Sequence, residues 1–258
     1  MSVLVFAEIS DGKFKKATYE AVSYGRQVAD MLGSKVVAIV IGNGADAAEL
    51  GQYGAHVVKT IQTSDSFTAD AYAAAVNASA NEVSASTVII SNTYTGKSLA
   101  PRLAQLMGAS LATNVVSMPD TSNGFQIKRS VFSGKAFAFV NLQRDKKVIA
   151  ITPNSFEIKS FGETAVIEAA STQLGSTGLS IDAVNKVTGK IPLTEAEVVV
   201  SGGRGMKGPE NWHMIEDLAT ALGAATACSK PVSDMDWRPH SEHVGQTGIT
   251  IKPNLYIA

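Results

Sequence analysis

The feature that most constrains the fold of this chain is an alternation between short β-branched runs and longer segments of helical period. Residues 3–7 and 35–41 are compact apolar runs, which predict buried strands. Between them, apolar residues recur at spacings of three and four from Ala17 to Met31, on one face of a helix that ends near Gly33. Such strand–helix–strand units connect parallel strands by right-handed crossovers. The sequence therefore predicts an α/β fold with helices covering a parallel sheet.

The alternation continues to residue 107 and then changes character. An alanine-rich helix is predicted over roughly residues 66–84, followed by a strand at 87–90 and a helix at 98–107. Three β-rich runs come next, at 114–118, at 126–131 with 135–142, and at 147–152, and turn-like sequences separate them. We expect these runs to form an antiparallel extension of the first sheet.

A stretch rich in Ser, Thr and Gly, between about residues 171 and 190, separates this region from a second one. There the pattern predicts a strand at 197–200, a helix at 211–222, a strand at 224–228 and a last strand at 254–258. Gly208-Pro209 opens the helix and Gly223 closes it. We therefore predict an N-terminal α/β domain over residues 1–190 and a smaller, incomplete Rossmann-like domain over residues 191–258.

Composition narrows the class of protein. With 22 basic and 23 acidic residues among 258, the net charge is −1, which argues against nucleic acid as the main partner. The one cysteine, Cys228, excludes an intramolecular disulfide and a cysteine-based zinc cluster, and its place at the end of an apolar strand predicts burial. No apolar run approaches about 18 residues and the start lacks a basic signal region, so we expect no membrane insertion and a cytoplasmic location.

The segment from Gly203 to Gly208 matches the pattern G-x-G-x-x-G between a predicted strand and a predicted helix. Glycines in this context allow a tight turn, and the free N–H groups of a helix start favour a phosphate. In a dinucleotide-binding fold, an acidic residue about twenty positions on would hold the ribose of NAD, but Ser229 and Lys230 occupy that place. From the residues alone, an NADP-dependent oxidoreductase that uses Lys230 is one hypothesis, and a plain strand-to-helix turn is the other.

Other chemical motifs are weaker. Residues 91–98 resemble a phosphate-binding P-loop, but Ser91 replaces its first glycine, so a helix-capping role for Thr95 or Ser98 is favoured. His240 and His243 have carboxylates nearby, at 234, 236 and 242, yet a polar loop with surface histidines is favoured over a metal site. A serine hydrolase is excluded because the sequence has no G-x-S-x-G elbow.

Four sequence segments of the second region occur together in a fixed order. They are Val-Val-Ser-Gly-Gly-Arg-Gly-Met-Lys at 199–207, Ala-Cys-Ser-Lys-Pro-Val-Ser-Asp at 227–234, Val-Gly-Gln-Thr-Gly at 244–248 and Pro-Asn-Leu-Tyr-Ile-Ala at 253–258. Their order and spacing closely resemble the α subunit of electron transfer flavoprotein. Residues 3–8 and 96–102 resemble the same family less specifically, so the resemblance covers nearly the whole chain.

This resemblance implies an electron-carrier subunit rather than a stand-alone enzyme, without catalytic or metal-binding residues of its own. It implies a nucleotide-binding-like N-terminal domain that packs against a β subunit, and a C-terminal domain that holds FAD. Electrons would come from acyl-CoA-type dehydrogenases, as in fatty acid β-oxidation, and pass to a quinone-linked or other acceptor. A third hypothesis is a partner-binding module with a vestigial nucleotide site.

Carried over residue by residue, the resemblance implies a cofactor-binding set. Arg204 would lie at an FAD phosphate or at the flavin edge, Ser229 would hydrogen-bond the cofactor, and the Thr247 hydroxyl would approach the reactive flavin nitrogen. The full set is Arg204, Ser229, Lys230, Val244, Gly245, Gln246, Thr247 and Gly248. Lys230 departs from the family, in which many members carry arginine after this serine; lysine keeps the charge, which favours reduced anionic flavin, but loses the planar fork.

The family also continues past residue 258 into a turn and helix that supply further flavin and pyrophosphate contacts. The resemblance therefore implies that this chain is truncated at its C-terminus, with FAD weakly bound or absent in this form.

Overall fold

A computed structural model of the protein describes residues 2–175, 177–179, 181–184, 191–194 and 196–258. The chain divides into two compact units, Met1–Asp182 and Ala183–Ala258. The domain boundary predicted at about residue 190 lies outside the described residues, so its place in the linker stays a prediction.

The first unit is built from strands and helices in alternation, as the sequence predicts. Its strands are β1 (Ser2–Phe6), β2 (Ile9–Ser10), β3 (Lys13–Phe14), β4 (Lys35–Ile41), β5 (Val57–Ile61), β6 (Ala85–Ser91), β7 (Ser110–Val115), β8 (Gln126–Val131), β9 (Ala136–Asn141), β10 (Lys147–Ile151) and β11 (Val166–Ala169). Its helices are α1 (Lys16–Met31), α2 (Ala69–Glu82) and α3 (Tyr94–Met107), with short 3-10 turns at Ala47–Tyr53 and Phe132–Gly134.

Within the described residues, nine of these strands form one sheet in the order β11-β5-β4-β1-β6-β10-β7-β8-β9. The pairs from β11 to β7 are parallel, and β7, β8 and β9 pair antiparallel. The predicted α/β class with a parallel sheet and an antiparallel extension is confirmed. The short β2–β3 hairpin pairs separately.

The third β-rich run is the exception, because the prediction that it belongs to the antiparallel extension is wrong. β10 lies between β6 and β7 and runs parallel to both. Its residues from Val148 to Ile151 are all buried, which is typical of an interior strand with both faces covered. The first run is predicted at residues 114–118, but β7 ends at Val115. Near this end Asn114 has a φ of 55°, and the register between β7 and β10 shifts.

Helices cover both faces of the sheet, and successive side chains of β1 point alternately to the two faces. Val3 and Val5 contribute to the core under α1, whereas Leu4 and Phe6 contribute to the core under α2 and α3. Gly25 lets α1 approach closely, because a Cβ there would lie 2.5 Å from Cγ2 of Val5.

The P-loop-like segment forms the start of α3 and is capped differently from the prediction. Thr93, not Thr95 or Ser98, is the cap: its Oγ1 accepts a hydrogen bond from the Gly96 N–H at 3.1 Å. The same hydroxyl donates to Oε2 of Glu8 at 2.6 Å. A carboxylate therefore already lies at this helix start, which is unfavourable for a phosphate.

A buried carboxylate fixes the loop that follows β10. Glu20 on α1 is 1% exposed and accepts backbone hydrogen bonds from Asn154 at 2.9 Å and from Ser155 and Phe156, each at 2.7 Å. Burial raises the pKa of this carboxyl, and the three N–H groups oppose that rise. Glu20 thus satisfies three backbone donors that would otherwise lose water without a partner.

The second unit is a small parallel sheet with one main helix. Its strands are β12 (Val198–Gly202), β13 (Ala225–Cys228) and β14 (Leu255–Ile257), in the order β13-β12-β14. The helices are α4 (His213–Leu222) and the short α5 (Lys230–Asp234), with 3-10 turns at Arg204–Met206, Pro209–Asn211 and His240–Glu242. The strands and α4 lie where the sequence predicts them, and α4 ends at Gly223, which has a φ of 60°.

We expect Glu20→Ala to lower the free energy of unfolding by about 3 kcal/mol, because it leaves buried N–H groups without an acceptor. Chemical denaturation followed by circular dichroism measures this change. Glu20→Gln keeps one oxygen acceptor, so it should lose clearly less stability than Glu20→Ala. Equal losses for the two variants would show that the three hydrogen bonds contribute little.

Candidate functional site

The carboxyl edge of the second sheet brings three polar loops together. The Ser229 N–H donates to the carbonyl of Gly202 at 3.1 Å, which joins the ends of β12 and β13. The Val244 N–H donates to the carbonyl of Cys228 at 3.1 Å. The glycine turn after β12, the Ser229-Lys230 pair and the loop over residues 244–248 therefore start side by side, where parallel α/β sheets usually bind ligands.

The glycine turn after β12 is open toward Ser229. A Cβ on Gly203 would lie 3.7 Å from Oγ of Ser229, and nothing lies within 4 Å of one on Gly205. Lys207 ends the turn with a φ of 67°, and the Asn211 side-chain amide donates to the carbonyl of Met206 at 2.8 Å. The turn is thus fixed by the Asn211 side chain and leaves room for a ligand beside Gly205.

The backbone before α4 differs from a dinucleotide-binding glycine motif in the charge placed beside it. The Glu210 carboxylate folds over Gly208, where a Cβ would collide with it. A negative charge at this point repels a phosphate from the N–H groups that the fingerprint uses. This geometry counts against the NADP hypothesis, although Lys230 in place of the ribose-binding carboxylate would suit the extra phosphate of NADP.

The loop over residues 244–248 is a tight turn that rests on His243. The Ile249 N–H donates to the carbonyl of His243 at 2.8 Å, and the Gly248 N–H donates to that of Gly245 at 3.1 Å. A Cβ on Gly248 would collide with the His243 carbonyl and would lie 2.8 Å from Nδ1 of the His243 ring. Gly245 has a φ of 149°, which favours glycine.

An ion-pair network holds the segment that leads into this loop. Arg238 donates to both carboxylate oxygens of Glu242 at 2.8 Å, pairs with Glu216 on α4 at 2.9 Å, and lies 5.5 Å from the centre of the Trp212 ring. The hydrogen bond with Glu242 is the main cause that raises the pKa of Arg238. A bidentate pair of this kind fixes geometry as well as charge.

The histidine prediction is half right. His240 is exposed, but His243 is only 2% exposed, so the expectation of surface histidines is wrong for it. The two rings lie 5.3 Å apart, and Nδ1 of His243 has no hydrogen-bond partner among the described residues. Across the part of the chain that the structure describes, no three His, Cys, Asp or Glu residues are grouped to hold a metal.

The expectation of a buried cysteine is confirmed. Cys228 is 0% exposed, and burial raises the pKa of its thiol to about 11. A thiol with this pKa is protonated near neutral pH and is a poor nucleophile. Cys228 therefore packs beneath the site rather than reacting in it.

The predicted cofactor-binding residues differ in exposure. Arg204, Lys230, Gly245, Gln246 and Thr247 are exposed, whereas Ser229, Val244 and Gly248 are half-buried. The structure brings their backbone segments to one sheet edge, and no hydrogen bond joins the side chains of Arg204, Lys230 and Thr247 within the described ranges. Their role in binding stays a prediction.

Sequence reasoning did not foresee the supporting residues Arg238 and Glu242. They stand at i and i+4 with opposite charges, which is a weak signal for a pair.

Among residues the structure describes, no helix is both long enough and apolar enough to span a bilayer.

The fold and the site together define a class of protein: an α/β protein with a second, Rossmann-like unit, in which a glycine turn, Ser229 and the loop over residues 244–248 start side by side at the carboxyl edge of a parallel sheet. A family model described as electron transfer flavoprotein domain matches residues 3–174, and one described as electron transfer flavoprotein FAD-binding domain matches residues 192–258. The chain belongs to the electron transfer flavoprotein α-subunit family, whose members are electron carriers rather than stand-alone enzymes.

Similar proteins cover almost the whole chain. The electron transfer flavoprotein subunit alpha of Syntrophomonas wolfei is 34% identical over 98% of this chain and 81% of its own length. The corresponding subunit of Bacillus subtilis is 32% identical over 99% of this chain and 80% of its own length. Protein FixB of Clostridium saccharobutylicum is 30% identical over the same shares of the two chains, 99% and 80%.

Because a Cβ on Gly248 has no room, we expect Gly248→Ala to lower the free energy of unfolding by about 1–3 kcal/mol. Thermal unfolding of the purified protein measures the loss. Gly205→Ala is the matched control in the same unit, since its Cβ would meet nothing within 4 Å, and it should change stability by less than about 0.5 kcal/mol. Similar effects of the two substitutions would contradict the close packing of the loop on His243.

Proposed function

We propose that this protein is the α subunit of an electron transfer flavoprotein, which holds FAD at the carboxyl edge of its second sheet and pairs with a β subunit. The observation that carries the proposal is the meeting there of three loops, joined through the backbone bonds Ser229 to Gly202 and Val244 to Cys228. The match to the FAD-binding family model over residues 192–258 supports it.

The residues at this edge fit a flavin dinucleotide. The glycine turn lets a ligand approach the backbone at Gly203 and Gly205. Arg204 and Lys230 are exposed cations that suit phosphate and flavin oxygens, and the hydroxyls of Ser229 and Thr247 are donors for the flavin ring. The half-buried Val244 offers an apolar contact for a planar ring.

FAD, when bound, supplies the redox chemistry, because no protein side chain carries electrons in this way. The chain's own residues bind the flavin and set its environment. In this proposal Arg204 holds a phosphate or the flavin edge, Ser229 and Thr247 donate hydrogen bonds, and Gly245, Gln246 and Gly248 complete the loop against the ring. Lys230 places a positive charge near it, which favours the reduced, more negative form.

For this role the loop over residues 244–248 must keep its conformation, and two side chains support it. Arg238 ties the residues before the loop to α4 through Glu216, and His243 fills the space beneath the turn. Such a preorganised support limits how far the environment of a bound ring can relax.

The proposal extends to partners and place. Acyl-CoA-type dehydrogenases are the proposed electron donors, as in fatty acid β-oxidation, and a quinone-linked protein is the proposed acceptor. The chemistry takes place in the cytoplasm, where a single, buried, reduced cysteine is ordinary. We further propose that FAD is weakly held by this chain alone and more firmly in the complex with the β subunit.

The complex of this protein with its β subunit, purified and supplied with excess FAD, tests the proposal. We expect an oxidised-flavin absorption band and reversible reduction of the bound flavin. If the complex takes up no FAD and NADPH instead raises its melting temperature, the NADP-dependent oxidoreductase is favoured. If the β subunit binds but neither cofactor does, the chain is a partner-binding module.

We expect Lys230→Ala to lower the first reduction potential of FAD in the complex, because removing the cation disfavours added negative charge. A net loss of about 1 kcal/mol corresponds to a shift of about 40 mV for one electron. Redox titration with FAD in excess measures it. Lys230→Arg keeps the charge and should leave the potential close to that of the unmodified protein.

Lys252→Ala is the matched control for charge alone. Lys252 is exposed and precedes β14, so it lies toward the amino edge of the same parallel sheet, opposite to the site. Its removal should leave the potential unchanged. An unaltered potential in Lys230→Ala, or an equal shift in Lys252→Ala, would contradict the role given to Lys230.

A further inference from the structure

A buried histidine lies directly beneath the loop over residues 244–248. His243 is only 2% exposed, and its backbone is held on both sides of the ring. Its N–H donates to the carbonyl of His240 at 3.1 Å, and its carbonyl accepts a hydrogen bond from the Ile249 N–H at 2.8 Å. These bonds close the loop over the imidazole, so the ring and the loop occupy fixed places relative to each other.

The two ring nitrogens of His243 each face a glycine of the loop. A Cβ on Gly248 would lie 2.8 Å from Nδ1, and a Cβ on Gly245 would lie 3.5 Å from Nε2. Beyond its chain neighbours, Gly245 would bring such an atom within 4 Å of nothing else that the structure describes. Gly245 is exposed, so its missing side chain leaves an open approach to Nε2 from outside the loop.

The imidazole is an unfavourable choice for this buried place. Nδ1 has no hydrogen-bond partner among the described residues. A buried polar atom without a partner lowers stability, whereas an apolar side chain of similar volume avoids this cost. Sequences usually break such a rule where function requires it. A role in binding explains the nitrogen atoms of His243, whereas space filling alone does not.

The burial of Nδ1 also decides which nitrogen carries the proton. A neutral imidazole has one N–H group, and its second nitrogen is an acceptor. A proton on Nδ1 would bury a donor without an acceptor, which is rarer in proteins than an acceptor without a donor. We therefore assign the proton to Nε2. This leaves an N–H donor at the open side of Gly245.

We propose that His243 is a further cofactor-binding side chain, whose Nε2–H donates a hydrogen bond to an acceptor atom of a flat ligand lying on the loop at Gly245. This inference rests on the proposed function, in which that ligand is the flavin of FAD. A flavin ring presents carbonyl oxygens and unprotonated ring nitrogens, which accept such a bond. A donor favours negative charge on the ring, so His243 and Lys230 act in the same direction.

The substitution His243→Leu removes both nitrogens and keeps a similar volume. In the complex with the β subunit, we expect the dissociation constant of FAD to rise at least about 5-fold, which corresponds to about 1 kcal/mol and to one lost hydrogen bond. The first reduction potential of the bound flavin should fall, because a donor is lost. The melting temperature of the ligand-free protein should stay the same or rise, because the unpaired nitrogen is gone.

Two further variants separate hydrogen bonding from shape. His243→Gln keeps an N–H donor of similar reach and should restore most of the affinity and the potential. His213→Leu makes the same exchange at an exposed histidine, whose Nδ1 lies 3.0 Å from the carbonyl of Glu210, and should change the dissociation constant less than about 2-fold. If either of these variants loses as much affinity as His243→Leu, the proposal is wrong.

A measurement on the unmodified protein covers the case in which the His243 variants do not fold. Nitrogen-15 NMR of the histidine rings should show a protonated Nε2 and an unprotonated Nδ1 in His243 of the ligand-free chain. In the complex, saturating FAD should shift the Nε2 resonance and slow the exchange of its proton at least about tenfold. A proton on Nδ1, or an Nε2 resonance that FAD does not move, overturns the proposal.

The outcomes also distinguish this inference from the proposed function. If the unmodified complex binds FAD while His243→Leu keeps both affinity and potential, the inference fails and the proposed function stands. If the unmodified complex binds no FAD, both fail. If His243→Leu loses affinity together with a melting temperature lowered by more than about 5 °C, the ring is a structural support only, and the proposal is overturned.

Discussion

The parallel pairing of β12 with β13 is the constraint on which the proposed site depends. Parallel strands end at the same edge, so whatever follows them in sequence is brought together in space. The bond from the Ser229 N–H to the carbonyl of Gly202 extends this pairing past the ends of the strands. The bond from the Val244 N–H to the carbonyl of Cys228 joins the next loop to the end of β13. The glycine turn after β12, Ser229 and the loop over residues 244–248 thereby become neighbours.

Much of this arrangement can be predicted from sequence, because it depends on local patterns. Apolar runs predict β1, β4 and β6, and the spacing of apolar residues predicts α1. Two strands of the nine-stranded sheet are not predicted from the sequence, for physical reasons. β5 places Lys59 and Thr60 within the strand, and β11 is an edge strand with all four residues exposed. Neither shows the continuous apolar run of an interior strand.

Where the prediction fails, a local signal competes with a tertiary one. The turn-like Arg144-Asp145-Lys146 suggests a hairpin, but the chain instead enters β10 between β6 and β7. The apolar run from Val148 to Ile151 already indicated a strand covered on both faces. In the site, the motif loops are visible in sequence, whereas the link from Glu216 through Arg238 to Glu242 spans two elements and requires the fold.

The charges of the second unit explain why a glycine motif shared with dinucleotide-binding proteins need not bind a ligand in the same way. Glu210 places a carboxylate over Gly208, at the helix start that such proteins reserve for phosphate. Arg238 forms ion pairs with both Glu216 and Glu242, and the exposed cations Arg204 and Lys230 stand on the loops. In the proposed function, the attraction for an anionic ligand therefore comes from side chains on the loops and not from the start of α4. In the proposed site, a phosphate held in this way would therefore depend on Arg204 and Lys230 as well as on the glycine pattern.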